Sequence, residues 1–400
     1  MDFSLNDEQR AWQLKARKFA DEHIRPISVE RDRIVDPAGT FDWDVVRKGS
    51  RLGFRTAAVP KVWGGAGLDF VTLVLVASEL ARGDSAIGKT FTQCWKWSHL
   101  LATQCSEEQK ERFLRPFMED HEYLLGRGIT EPDAGSDNRL PPESDPKAGL
   151  KLRAERQGDH WVLNGTKVFI AHGNVAKLII VDARTDPTVS VKQGTTMFLV
   201  PRDTPGFRVG KVFNKSGWRF YQNTELIFEN ARVPVTNTVG TVNRTDAKRT
   251  GQAPGGDPFS DLEYTANALG VADAACDQAL AYAMTRRQGG STLIEQPAIL
   301  IKLSRMYILA EALRSFVLRS AWEHDNKIRS PIGALVMNFS TDVIQETSEL
   351  NLEIHDSGPC EVDYAADKLV NDGFIWSHIS GDSASRLRAM QQLLAHKAAG

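Results

Sequence analysis

The chain has 400 residues, 42% of them hydrophobic, and its 49 Lys and Arg nearly balance 51 Asp and Glu. That length holds two or three domains with ample cores, and the cancelled charge speaks against a nucleic-acid or anionic-membrane surface. Cys94, Cys105, Cys276 and Cys360 are far apart without metal-ligand spacing, so they read as reduced thiols. The acidic start MDFSLNDEQR lacks a signal-peptide core, no run reaches membrane-span length, and the last residues form no peroxisomal address. A cytoplasmic protein is the expectation.

Asn6 with Gln9 three residues on has the pattern of a capping box. Trp12, Ala16, Phe19, Ala20 and Ile24 follow at helical spacing, and Pro26 reads as the end of that helix or a bend. Residues 43–52 are amphipathic. Residues 59–68 (VPKVWGGAGL) are a turn-rich connection whose glycines do not make a dinucleotide fingerprint. Helical pattern continues over 70–82, 85–101 and 107–117, giving a helical domain over 1–122.

From Tyr123 the texture changes. Leu150-Leu152-Ala154, Trp161-Leu163, 178–182, 197–200 and 224–228 are short β-rich runs separated by Gly, Pro, Asp and Asn. They predict an antiparallel sheet domain over 123–236, with 140–147 (LPPESDPK) as an extended loop. Residues 237–258 are polar and Gly-rich and read as a flexible connection. Beyond them 262–286, 294–323 and 331–352 predict long amphipathic helices, with a final helical run after Ser383, so 237–400 reads as a helical bundle. The small Ala268, Leu269, Ala272 and Cys276 stripe suits close helix packing within or between subunits. No internal repeat is visible.

Between the helical and strand-like parts lies Gly128-Ile129-Thr130-Glu131-Pro132-Asp133-Ala134-Gly135-Ser136-Asp137. Thr130 and Ser136 offer hydroxyl donors, Gly135 lets backbone approach an anion closely, and Pro132 stiffens the turn. Such a turn either cradles a phosphate with its N–H groups or is a plain solvated loop. The order Thr-Glu-Pro, two variable positions, Gly-Ser-Asp resembles the first signature of the acyl-CoA dehydrogenase family of flavoproteins. Other landmarks fall in family order over nearly the whole chain. They are 161–167 (WVLNGTK) with Phe169-Ile170, Gly217-Trp218-Arg219, 229–234 (ENARVP), and Tyr282-Ala283 followed by Arg286.

The resemblance implies an α+β multidomain fold: an N-terminal α-helical domain, a middle antiparallel β domain and a C-terminal four-helix bundle. It also implies FAD, an acyl-CoA thioester substrate, electron-transfer flavoprotein as electron acceptor, and a homodimer or homotetramer with shared flavin sites. In the family's reaction a carboxylate takes the α proton while the β hydrogen leaves as hydride to the flavin. At the commonest family position for that base this chain has Ser380, which cannot do the job at neutral pH without a partner base. Isovaleryl-CoA and long-chain acyl-CoA dehydrogenases carry their base near the start of the first helix of the C-terminal bundle, and Glu263 matches it. Read from the residues alone, Ser260-Asp261-Leu262-Glu263 is equally a capping box, with the glutamate bonding only to the cap amide. By the resemblance Ser380 keeps a backbone N–H for oxyanion stabilisation, and its reading as a small residue that makes room for Glu263 or a branched acyl chain is compatible with that.

Flavin contacts carry over by resemblance to Ile129, Thr130, Ser136, Phe169, Ile170, Ala171 and Arg286, with Asp382 near a phosphate or the ribityl chain. Substrate contacts carry over to Ser136, Asp261, Tyr264 and Gly381. Phe169 replaces a frequent tryptophan, and Ala171 a Thr or Ser hydroxyl near flavin N5. Arg286 is read either as the arginine that reaches a neighbouring subunit's pyrophosphate or as a helix C-terminal cation. His172 is either a satisfied loop histidine or a pocket residue. Trp95 and Trp97 are core packing or narrow an acyl pocket. Gly289, Pro297, Glu353, Asn371 and Asp382 depart from the family's pattern on the side facing a neighbouring subunit. They leave two other readings open. One is a specialised or non-redox enzyme on the same scaffold, or one subunit of a heteromer; the other is a flavin-free binding protein.

Overall fold

The computed structural model describes residues 4–135, 145–243, 258–328, 330–356, 358, 365–379 and 383–398. The N-terminal helices are α1 (Asp7–Phe19), α2 (Arg25–Asp32), α3 (Trp43–Arg51), α4 (Phe70–Gly83), α5 (Ser85–Gln104), α6 (Glu107–Gln109) and α7 (Arg115–Glu119). The capping box at Asn6 forms: Gln9 N donates to Asn6 Oδ1 at 2.9 Å, and Asn6 N to Gln9 Oε1 at 3.0 Å. Pro26 does not end the helix. A π-turn over Ala20–Ile24 joins α1 to α2, with Pro26 in the first turn of α2. A second π-turn, Lys110–Leu114, leads to Pro116 in the same way. The wider turn shifts the hydrogen-bond register, so the missing proline N–H is absorbed without a break. Trp95 is buried and donates through Nε1 to Phe54 O at 2.7 Å, which makes it core rather than pocket wall.

The middle strands are β1 (Leu125–Gly128), β2 (Arg153–Gln157), β3 (His160–Ala171), β4 (Leu178–Arg184), β5 (Thr195–Pro201), β6 (Phe207–Val212), β7 (Asn223–Pro234) and β8 (Thr238–Val239). They form an eight-stranded sheet in the order β6-β7-β3-β2-β4-β5-β8, with β1 beside β4. Pairing is antiparallel in the main, but β1 runs parallel to β4, Leu125 opposite Leu178. The short, glycine-rich β1 (LGRG) and the charged β6 (FRVGKV) show little β pattern, so sequence reading passes over both. Part of the predicted flexible connection is ordered: β8 pairs with β5, and Asn237 Nδ2 donates to Leu199 O at 2.8 Å.

The C-terminal helices are α8 (Pro258–Thr285), α9 (Pro297–Asp325), α10 (Ile332–Ile354), α11 (Ala365–Ile379) and α12 (Ser383–Ala398). The described bundle therefore has α11 in addition to the helices read from the sequence. Ala268, Leu269, Ala272 and Cys276 are buried in the chain's own core, where α8 crosses α4 closely. A Cβ on Gly270 would lie 2.3 Å from Ser78 O. Among the described residues no helix is long and apolar enough to cross a membrane, and no His, Cys, Asp or Glu group is arranged to hold a metal.

A buried charge cluster joins the three parts. Lys368 Nζ on α11 lies 2.7 Å from Asp372, 3.1 Å from Asp84 at the cap of α5, and 4.0 Å from Asp32 at the end of α2. Asp372 also accepts from Trp218 N at 2.7 Å and Ser85 Oγ at 3.0 Å. The middle domain's Gly217-Trp218 turn is thus docked on α11. Asp32 has no hydrogen bond on either oxygen, and burial pushes its carboxyl up to about 6.

Candidate active site

The two resembling motifs meet through a buried ion pair. Glu131 of the Thr-Glu-Pro turn accepts from Lys167 Nζ of WVLNGTK at 2.7 Å, and both side chains are buried. Glu131 also accepts from Lys151 N at 2.6 Å and Leu152 N at 3.0 Å, while Lys167 donates to Ile129 O at 2.9 Å. The turn is therefore fixed against β3 by its side chains. Next to this brace the β3–β7 register slips between Lys167 and Ile170. The bulge releases Val168 N to Thr130 O at 2.9 Å and turns Phe169 outward at φ +55°. Its ring is 54% exposed and stacked on Phe213 at 4.1 Å. Ile129, Thr130, Phe169, Ile170 and Ala171 are thus brought together, around a flat aromatic face open to a ligand.

Beyond Ala171 the chain turns through His172, also at positive φ, which is buried between Phe41 and Tyr221. His172 Nε2 lies 3.0 Å from Thr90 Oγ1 on α5, and its Nδ1 has no hydrogen-bond partner. Burial, with Lys215 and Lys89 adding to it, pushes the imidazole down to about 3, so it is neutral across the physiological range. It is a buried turn residue with one ring nitrogen met by Thr90 and the other without a partner. Trp218 likewise sits at positive φ. Bulky residues in that region store strain that surrounding packing must hold, a feature concentrated at functional sites.

One residue before Thr90 is Lys89, and it leads to Glu263. Lys89 Nζ lies 2.5 Å from Glu263 Oε1, with both side chains almost fully buried. Thr92 Oγ1, nearly one turn further along α5, donates to the same oxygen at 2.7 Å. The ammonium also sits 3.8 Å from the centroid of the Tyr264 ring, which packs edge-on to Trp376. The capping-box reading of Glu263 does not hold: α8 begins at Pro258, so Glu263 lies in its second turn and bonds across to α5. Asp261 faces α10 near Gly333. Glu263, Tyr264, His172 and the edge of β3 therefore converge. Lys89 and Thr92 were missed from sequence, because a helix register does not tell which turn of α5 meets α8.

Other positions lie apart. Arg286 is exposed at the end of α8, ahead of the hairpin Arg287–Gln288 and Ser291–Thr292. Gly289 and Gly290 form that hairpin's two-residue turn, both at positive φ, the geometry of a type I′ turn. Pro297 occupies the first turn of α9, where a missing N–H costs nothing. Glu353 pairs with Lys302, and Asn371 Nδ2 donates to Asp367 at 3.4 Å. Ser136, Ser380, Gly381 and Asp382 lie outside the described residues.

Residues 6–120, 126–231 and 262–393 match the N-terminal, middle and C-terminal domains of acyl-CoA dehydrogenases. The short-chain specific acyl-CoA dehydrogenase of Clostridium acetobutylicum is 28% identical, covering 96% of this chain and 97% of its own. The butyryl-CoA dehydrogenase structure from Megasphaera elsdenii superposes with a TM-score of 0.88 at 28% identity, covering 99% of this chain and 100% of that one. A structure described as the electron transferring flavoprotein of Acidaminococcus fermentans gives a TM-score of 0.86 at 28% identity, covering 98% and 100%. All three domains match in order over nearly the full length, and the chain belongs to the acyl-CoA dehydrogenase family.

Proposed function

We propose that the protein is an FAD-dependent acyl-CoA dehydrogenase in which Glu263 takes the α proton of the thioester. The observation that carries this reading is the buried Glu263 carboxylate, drawn away from a capping role and bonded to the stretch of α5 whose Thr90 meets His172 just after β3. Both of its bonds converge on Oε1. Proton transfer needs such a fixed carboxylate in a water-poor site.

The residues present fit a flavin. Phe169 offers an open aromatic face, Thr130 is joined to Val168 just ahead of it by the bulge bond, and the unpaired His172 Nδ1 is buried after Ala171. When bound, FAD supplies the hydride acceptor. Ile129, Thr130, Ser136, Phe169, Ile170 and Ala171 would hold it, with Arg286 and Asp382 toward its phosphates across a subunit boundary. Asp261, Tyr264, Ser136 and Gly381 would face the CoA thioester, and the Ser380 N–H its carbonyl oxygen.

Exposed Leu300, Ile301, Tyr307 and Ile308 on α9, with Leu387 and Leu394 on α12, form apolar faces of the kind buried in a homodimer or homotetramer. A cytoplasmic enzyme passing electrons to electron-transfer flavoprotein completes the reading. The test is the visible spectrum of the purified protein before and after anaerobic addition of a panel of acyl-CoA thioesters. Bound flavin that bleaches with one of them supports the dehydrogenase. Flavin that never bleaches favours the second reading, a specialised enzyme or heteromer subunit, to which Ala171 points because it offers no hydroxyl.

A further inference from the structure

A carboxylate that must accept a proton from carbon has to present one oxygen to it, and the other oxygen is free to be anchored. Glu263 is built that way. Oε1 receives both the Lys89 ammonium at 2.5 Å and the Thr92 hydroxyl at 2.7 Å, and neither bond involves Oε2. Both donors stand on one face of α5, while Glu263 comes from α8, so the bonds cross between two packed helices. Thr90, between the two donors in sequence, contacts His172 at the end of β3. One stretch of α5 thus touches the carboxylate and also the residue following Ala171.

Lys89 is costly where it is. It is 2% exposed, and burying an ammonium is tolerated only with close compensation. Part of that compensation survives the reaction. When Glu263 takes a proton its charge is gone, but the Tyr264 ring still lies 3.8 Å from Nζ. The pair is therefore not needed to keep Lys89 buried at every stage, and its geometry acts on the carboxylate.

From this we propose that Lys89, seconded by Thr92, is a positioning residue that anchors Glu263 Oε1 so that Oε2 faces the α carbon. The proposal rests on the reading of Glu263 as the base. In the step concerned the α C–H bond breaks and an O–H bond forms on Glu263. The C–H electron pair moves into the α,β double bond as the β hydrogen leaves, with its pair, to the flavin of the established family chemistry. Lys89 forms and breaks no covalent bond.

The test reads proton removal apart from oxidation. Acetyl-CoA has α hydrogens and no β carbon, so its exchange with solvent deuterium on the purified enzyme, followed by mass spectrometry, reports the base alone. Wild type should exchange above the buffer rate, and Glu263→Gln should fall to it. Lys89→Met should lose exchange and kcat by on the order of a hundredfold with little change in KM. Lys89→Arg, which restores a donor and a charge, should regain much of the loss. A folded Lys89→Met that exchanges within a few-fold of wild type overturns the proposal and leaves Glu263 as base. Exchange persisting in Glu263→Gln removes the base and this proposal with it. Should Lys89→Met not fold, Thr92→Val removes the second anchor without stranding a charge. It should lose exchange severalfold, and full exchange there would overturn the proposal.

Discussion

Glu131 and Lys167 lie 36 positions apart and meet at 2.7 Å with essentially no exposure, Glu131 taking two backbone N–H bonds as well. Removing one partner of such a pair leaves an uncompensated charge in the interior. Lys167→Met should therefore cost about 3–5 kcal/mol, toward the low end because two amides still face Glu131. Urea unfolding checks this, and Glu131→Gln combined with Lys167→Met should recover part of the loss.

Glu263→Gln keeps the shape of the side chain and removes the proton acceptor. Turnover should fall by about a thousandfold or more, with flavin absorbance retained and the melting temperature lowered, because the buried Lys89 ammonium loses its partner. Undiminished turnover would take Glu263 out of the reaction. Ser380→Ala preserves the backbone N–H and should have a small effect on kcat.

Asp32 provides a pH test. Its folded-state carboxyl is pushed up to about 6 from 3.8, chiefly by burial, so the folded chain holds that proton more tightly than the unfolded one. The stabilisation is full below about 4 and is lost as pH rises through 6, a swing of about 3 kcal/mol. His172 works in the opposite sense over an overlapping window, since its folded form resists protonation. The prediction is thus a difference between proteins: Asp32→Asn should gain stability over wild type on going from pH 4 to pH 7. Denaturation midpoints at several pH values read it, and parallel curves for the two proteins would contradict it.

Gly217 has no room for a side chain. A Cβ there would lie 2.4 Å from Asn371 O and 2.8 Å from Asp372 N. Because the obstacles are backbone atoms of α11, Gly217→Ala should force the turn away and cost about 1–3 kcal/mol. Loss of Trp218 fluorescence character on substitution, with a lowered melting temperature, is the expected readout.

Much of the fold is legible because helical periodicity over long stretches and a change to short β runs at Tyr123 are strong local signals. Pro26 misleads because the adjustment that accommodates it, a π-turn, carries no residue signature. The strands β1 and β6 are carried by neighbours rather than by their own residues. At the site, Glu263 and the Thr-Glu-Pro turn are found through motif order. Lys89 is not, because its meaning lies in the crossing of α5 and α8, two elements 174 residues apart at the contact. The outward turn of Phe169 depends in the same way on a slip in register that only the paired strand reveals.

The Lys368 cluster also bears on how the molecule comes apart. Asp32 belongs to the first helical region, Trp218 to the sheet region and Lys368 to the terminal bundle, and they share one interior knot of charge. Peeling any one region away would open that knot to water while stranding the remaining charges against apolar packing. The chain should consequently melt in a single cooperative step, and a fragment cut at either boundary should not hold its native form alone.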